Sequence, residues 1–232
     1  MRIAVLFAAA LLVAGCTQGP PRTTALTPIT PSRAASSPAQ STEVSTPTTS
    51  SKTPAGAAAP RGGAPITAAI SWVEAAAPAD AADFAVALRG GTTTPLGDDV
   101  AFTTPSGIGC MTDVKRGAAD LACLVDLTDP PPQPPDTYGA WKGGWVDFNG
   151  TDVAVGSAHG DPGRFAAGQG PPLPADRSLS FGDYRCRTDA STLICVNYAR
   201  QTAVRYSDDG IETFGCTRQS PPAAGIGIQY TC

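Results

Sequence analysis

Histidine is almost absent from this sequence. A chain of 232 residues contains one, His159, which excludes a metal site assembled from several imidazoles. None of its seven cysteines falls in the C-x2-C spacing that zinc ribbons use. Aromatic residues amount to 6%, so the apolar core is modest. A basic excess is missing too, since the formal net charge is −4, and a nucleic-acid partner would ask for the opposite sign. No apolar run approaches the ~20 residues of a membrane-spanning helix. Glycine and proline are abundant instead: Gly 25 and Pro 23 make about a fifth of the chain, well above the usual ~12%, which signals loops or a segment without a packed core.

The first residues read as an export signal. Arg2 supplies the positive start, Ile3 to Val13 is uninterrupted apolar sequence, and Ala14-Gly15 are small residues ahead of a processing site. Val13-Ala14-Gly15-Cys16 resembles the bacterial lipobox, whose cysteine thiol takes a diacylglycerol before the chain is cut. Cys16 is therefore the expected lipidation site, with two or more acyl chains giving a stable anchor where one gives a marginal one. This places the protein on the extracytoplasmic face of a plasma membrane, with residues 1–15 as signal peptide.

Six cysteines remain: Cys110, Cys123, Cys186, Cys195, Cys216 and Cys232. An even number in an exported chain predicts three disulfides, with fifteen formal connectivities. Neighbour pairing is favoured because each successive pair brackets a turn. Loops of this size each contribute roughly 2–3 kcal/mol by restricting the unfolded chain.

Residues 16–65 comprise the expected lipidated cysteine and then a stretch rich in Pro, Ser, Thr, Ala and Gly, without an aromatic residue or an apolar period. Such composition cannot bury enough surface to offset its ordering entropy, and it reads as a tether. Its reach is roughly 40 Å as a flexible coil and up to about 150 Å as extended polyproline II. The tether carries a small positive excess and residues 66–232 a net −8. A solvated linker joined to a soluble acidic surface is the ordinary reading of that split.

From residue 66 the texture becomes globular. Ile66, Ile70, Val73 and Ala77 fall at helical spacing, Pro78 breaks the run, and Asp80 caps a second short helix reaching Leu88, closed by Gly90-Gly91. Short strands then follow at 100–103, 108–112, 121–126, 144–148, 151–157, 178–181, 184–187, 193–197, 202–206 and 226–231. Asn149-Gly150 predicts a type I′ hairpin turn, and Asp208-Asp209-Gly210 reads as another hairpin turn. With no alternation of strand and helix, the expected class is mainly β or α+β: antiparallel sheets with disulfide-linked hairpins and one or two short N-terminal helices.

The segments DVAFTTPSGIGCMTD, LACLVDLTDPPP, WKGGWVDFNG, GSAHGDPGRF, LSFGDYRCRTD, LICVNYA and FGC resemble a mycobacterial LppI-like lipoprotein family over roughly residues 68–216. The wider set of actinobacterial secreted domains that this pattern is similar to often has a further cysteine pair in its middle, where Trp145–Ser157 has none. That departure leaves Cys216 and Cys232 to pair with each other. The resemblance implies an anchored envelope protein and supplies no catalytic residue.

The residues themselves offer little chemistry. His159 has Asp161 two positions away, but neighbours in a Gly/Pro loop more often form a turn than a catalytic pair. Asp126, Asp129, Asp136, Asp147, Asp152, Asp183 and Glu212 mostly adjoin turn residues, with no pattern tying two across a cleft. No metal set and no cofactor is expected. Tyr138, Trp141 and Lys142 follow the stiff run Pro130–Pro135 and form the candidate binding patch, with Trp141 expected to be exposed and Trp145 in the core. The resulting expectation is a lipid-anchored, noncatalytic envelope protein that binds a protein or a cell-wall glycan. The alternative is a carboxylate-dependent hydrolase of cell-wall carbohydrate or peptide.

Overall fold

A computed structural model describes residues 56–114, 120–159 and 163–232, all within one compact unit. The signal peptide, Cys16 and most of the tether lie outside the described residues, as does Asp161. No helix among the described residues is long and apolar enough to cross a membrane.

Among the described residues one helix, α1 (Ile66–Glu74), precedes fifteen strands. The first three are β1 (Ala77–Pro78), β2 (Val86–Arg89) and β3 (Thr92–Pro95). They are followed by β4 (Ala101–Thr103), β5 (Gly109–Thr112), β6 (Leu121–Leu124), β7 (Ala140–Phe148) and β8 (Asp152–His159). The last group is β9 (Arg177–Phe181), β10 (Tyr184–Thr188), β11 (Leu193–Asn197), β12 (Thr202–Ser207), β13 (Gly210–Phe214), β14 (Arg218–Ser220) and β15 (Ile226–Thr231). Short 3-10 turns occupy Ala81–Phe84 and Gly163–Ala167.

Two sheets face each other. One has the order β1-β9-β10-β11-β12-β13 and the other β14-β15-β8-β7-β6-β5-β4. Strand neighbours pair antiparallel except β1, which runs parallel to β9. The core between them follows from period-two alternation. Leu193 and Cys195 on β11 and Val204 and Tyr206 on β12 meet Leu121 and Cys123 on β6 and Val146 and Phe148 on β7.

The opposite faces are covered as well, which is why β11 is buried along its whole length. Ala69, Trp72 and Val73 of α1, spaced to share one helical face, pack on Ile194, Val196, Ala203 and Phe214. On the far side, Ala87, Leu96 and Phe165 cover Met111, Ala122 and Trp145. The packed region begins a few residues before the expected boundary at 66, since Trp72 Nε1 donates to Ala57 O (2.8 Å) and Ala59 and Ala64 rest on the helix layer.

The three disulfides join Cys110 to Cys123, Cys186 to Cys195 and Cys216 to Cys232. The first two link residues directly opposed in register, on β5–β6 and β10–β11, with Cα atoms 4.1 and 4.0 Å apart. Such short separations belong to the narrow pairs of an antiparallel ladder. The third sits where the chain leaves β13 of one sheet for β14 of the other, and ties that crossing to the end of β15.

Two local expectations need correction. The helix predicted from Asp80 to Leu88 is only a 3-10 turn, capped as expected by Asp80 accepting from Ala82 N (3.0 Å). Val86–Arg89 then forms a hairpin with β3, and Gly90-Gly91 is its turn. Helix-compatible side chains yield there to pairing with a threonine-rich strand. At the second site the hairpin exists, but only Gly150 has a positive φ (96°). Its central residues are therefore Gly150 and Thr151, with glycine first. Asn149 Oδ1 accepts from the backbone N–H groups of Thr151 (2.9 Å) and Asp152 (2.7 Å).

Candidate functional site

The predicted patch lies at the start of β7, and strand geometry divides it. Tyr138 is 93% exposed. Trp141 is half-buried inside the strand, contrary to the expected exposure. Its Nε1 donates to Pro131 O (3.1 Å), and its ring lies against Gly156. A Cβ built on Gly156, which has φ +75°, would meet the indole at 2.7 Å and Pro131 at 2.8 Å. Trp141 is thus a brace between the proline run and the sheet.

Lys142, the next residue, projects to the other side, as alternation requires. Its Nζ lies 6.0 Å from the centre of the Trp145 ring. The patch that remains is a shelf made of Pro131–Thr137 with Tyr138 at its end. Gln133 Nε2 donates to Thr137 O (2.6 Å) and Thr137 N to Pro134 O (3.1 Å). A groove of about 450 Å³ runs beside the shelf, walled by Pro132, Gln133 and Thr137 on one side and Pro222, Ala224 and Ile226 on the other.

Two extra residues on β7, between the registered pairs Lys142–Ser157 and Val146–Val155, make the bulge that re-aims this end of the sheet. On the Trp145 side it brings together residues that sequence reading left apart. Ser157 Oγ and His159 Nε2 share a hydrogen bond (2.5 Å), and the imidazole stacks on Trp145 with centroids 3.6 Å apart. Their spacing of two on one strand, which puts both side chains on one face, is the sequence signal for the pair. An imidazole so placed can take a hydroxyl proton. Ser157 is 7% exposed, and stacking on Trp145 fixes the ring at this end of the sheet.

The carboxylates expected from the sequence lie in separate settings among the described residues. Asp147 accepts from Trp145 Nε1 (2.9 Å) and lies 3.6 Å from Arg164. Glu212 accepts from Arg205 (2.9 Å), and Asp152 closes the Asn149 turn through Thr151 Oγ1 (2.9 Å). Asp126, Asp129, Asp136 and Asp183 are exposed. Asp120, beside Asp147 and Arg164, has its pKa raised, chiefly because burial penalises its charge, with the Arg164 cation opposing. Among the described residues no group of three or more His, Cys, Asp or Glu could hold a metal ion. Comparison with protein-family models, with curated proteins and with solved structures finds no match to this chain.

Proposed function

We propose that the protein is a lipid-anchored, noncatalytic component of a bacterial cell envelope, related to the LppI-like lipoproteins, that binds an envelope protein or a cell-wall glycan. The observation that carries the binding reading is Tyr138, an aromatic side chain 93% exposed at the end of a shelf braced by Trp141. Proline restricts the shelf before any partner arrives, so little further ordering is needed when an aromatic anchor is presented from it. The groove beside the shelf extends the surface a partner can cover. Export is supported by the signal-like start, by Cys16 in its lipobox context, and by three disulfides, which persist in oxidising compartments.

Two measurements test this reading. Cys16→Ser should move the protein from the detergent phase to the aqueous phase; unchanged partitioning sinks the anchor. Tyr138→Ala should reduce retention on immobilised envelope fractions by about fivefold, the equivalent of ~1 kcal/mol for a hot-spot aromatic, at an unaltered melting temperature. Equal retention of wild type and variant removes the shelf from the binding surface.

A further inference from the structure

An edge strand turns the N–H and C=O of every second residue away from its neighbour, and such a row is a template for another chain unless something guards it. The two sheets end on β1 and β13 and on β14 and β4, and three of these edges are guarded. β4 is covered by the chain around Pro172, since Thr103 N donates to Pro171 O (2.9 Å) and Thr103 O accepts from Leu173 N (2.8 Å). β1 has two residues, of which Pro78 lacks an N–H and gives its carbonyl to Arg177 Nη2 (2.6 Å). β14 is three residues long, and brevity is itself a guard.

β13 differs. It has five residues, with neither proline nor lysine among them. Its register with β12 fixes which groups face outward. Ser207 and Gly210 flank a two-residue turn and so form a hydrogen-bonded pair. Alternation then makes Arg205–Glu212 and Ala203–Phe214 hydrogen-bonded pairs too, and turns the N–H and C=O of Ile211 and Thr213 away from β12. Among the described residues no hydrogen bond reaches these four groups.

The space beside this edge is open. A trough of about 420 Å³ runs past Thr213 and Phe214, with Gln219 and Tyr230 across from them and Gly63, which has no side chain, at the rim. Ile211 and Tyr230 rest half-buried against the core on the inward side. On the outward side Glu212 is held by Arg205 (2.9 Å), and a Cβ on Gly62 would meet Glu212 Cβ at 3.0 Å. The chain thus passes over the outward face of β13 without bonding to its edge. Two donors and two acceptors in one line, repeating at about 7 Å, match the main chain of an extended peptide and not the ring hydroxyls of a glycan.

We propose that β13 binds an extended, proline-free peptide segment of a partner protein. The segment adds to the six-stranded sheet through the N–H and C=O groups of Ile211 and Thr213, and it turns β-branched or small apolar side chains into the trough beside Tyr230. This surface is separate from the Tyr138 shelf and stands independently of the reading made there.

The test follows amide hydrogen exchange in the full chain with two probes, acetyl-Ser-Thr-Val-Thr-Val-Thr-Ser-amide and its counterpart N-methylated at every central residue. In the chain alone, the amides of Ile211 and Thr213 should exchange about tenfold faster than those of Glu212 and Phe214, which bond to β12. The first peptide at saturation should slow both about tenfold, and the methylated one, which keeps the side chains without the N–H groups, should leave them unchanged. Thr213→Pro removes an N–H that β12 does not use, so it should keep the melting temperature and weaken peptide binding about fivefold. Equal responses to the two peptides would overturn the proposal whatever the fate of that variant. Slow exchange at Ile211 and Thr213 in the monomeric chain alone would overturn it by giving the edge to the chain's own N-terminal residues. Protection that grows with protein concentration would overturn it in favour of a second copy.

Discussion

The guanidinium of Arg187 lies 4.1 Å from the centre of the Trp72 ring, while its Nη1 donates to the backbone carbonyl of that same tryptophan (2.6 Å). One side chain on β10 thus holds both the indole and the last turn of α1, where helix carbonyls lack intrahelical donors and a cation is favoured. Nη2 reaches Asp176 (2.7 Å), whose side chain is 60% exposed whereas that of Arg187 is 1% exposed.

That asymmetry makes the two partners unequal in mutation. Asp176→Asn keeps a residue tolerant of the φ of 59° found there but removes a carboxylate that pairs with a buried cation. It should lower stability by about 2 kcal/mol in denaturant unfolding, less than the ~3–5 kcal/mol for breaking a fully buried pair because Asp176 faces solvent.

Tyr198 donates its hydroxyl proton to Glu74 Oε1 (3.1 Å), tying the end of β11 to α1. Burial, then the Glu74 charge, push its pKa up to about 12. The raised value means the folded state keeps this proton after the unfolded state has lost it. The contribution is therefore complete below the unfolded value of about 10 and disappears as pH rises towards 12. Chemical denaturation between pH 9 and 12 should show a decline that is shallower in Tyr198→Phe; parallel curves would refute the linkage.

Trp141→Ala and Gly156→Ala should both lower the melting temperature, because each removes or displaces the brace under the proline run. Truncating a fully buried aromatic to alanine costs about 3–5 kcal/mol, and less at this half-buried position. Tyr138→Ala should leave stability unchanged, so calorimetry separates the brace from the exposed anchor.

Reductant should open the disulfides in a fixed order. Cys216 and Cys232 are exposed, whereas Cys110, Cys123, Cys186 and Cys195 are at most 1% exposed. Exchange requires a thiolate to reach sulfur. Peptide mapping after brief treatment under native conditions should recover labelled Cys216 and Cys232 alone. Labelling of Cys186 at equal rate would mean that the sandwich opens as readily as its edge.

How far the sequence foretold these features depended on how local their causes are. Strands β4 to β12 and β15 were legible within a few residues because their apolar alternation and turn residues lie in the segments themselves. The cysteine pairs were legible because each bridge brackets a single hairpin or crossing. Val86–Arg89 was not, since its side chains suit a helix and only its partner strand Thr92–Pro95 decides otherwise. Strand β14 escaped because three polar, mostly exposed residues carry no burial pattern. At the candidate site, the exposure of Trp141 was misjudged because Pro131 and Gly156 reach it from ten and fifteen positions away.

The disulfides also govern how the chain would behave under tension. Each bridge short-circuits its own loop, with sequence separations of 13, 9 and 16 residues. At ~3.4 Å per extended residue, roughly 120 Å of chain is hidden from a pulling force. An oxidised molecule stretched end to end should therefore stop short of its reduced form by about that length. A pulling load would meet three short, covalently closed loops instead of a freely unravelling sheet.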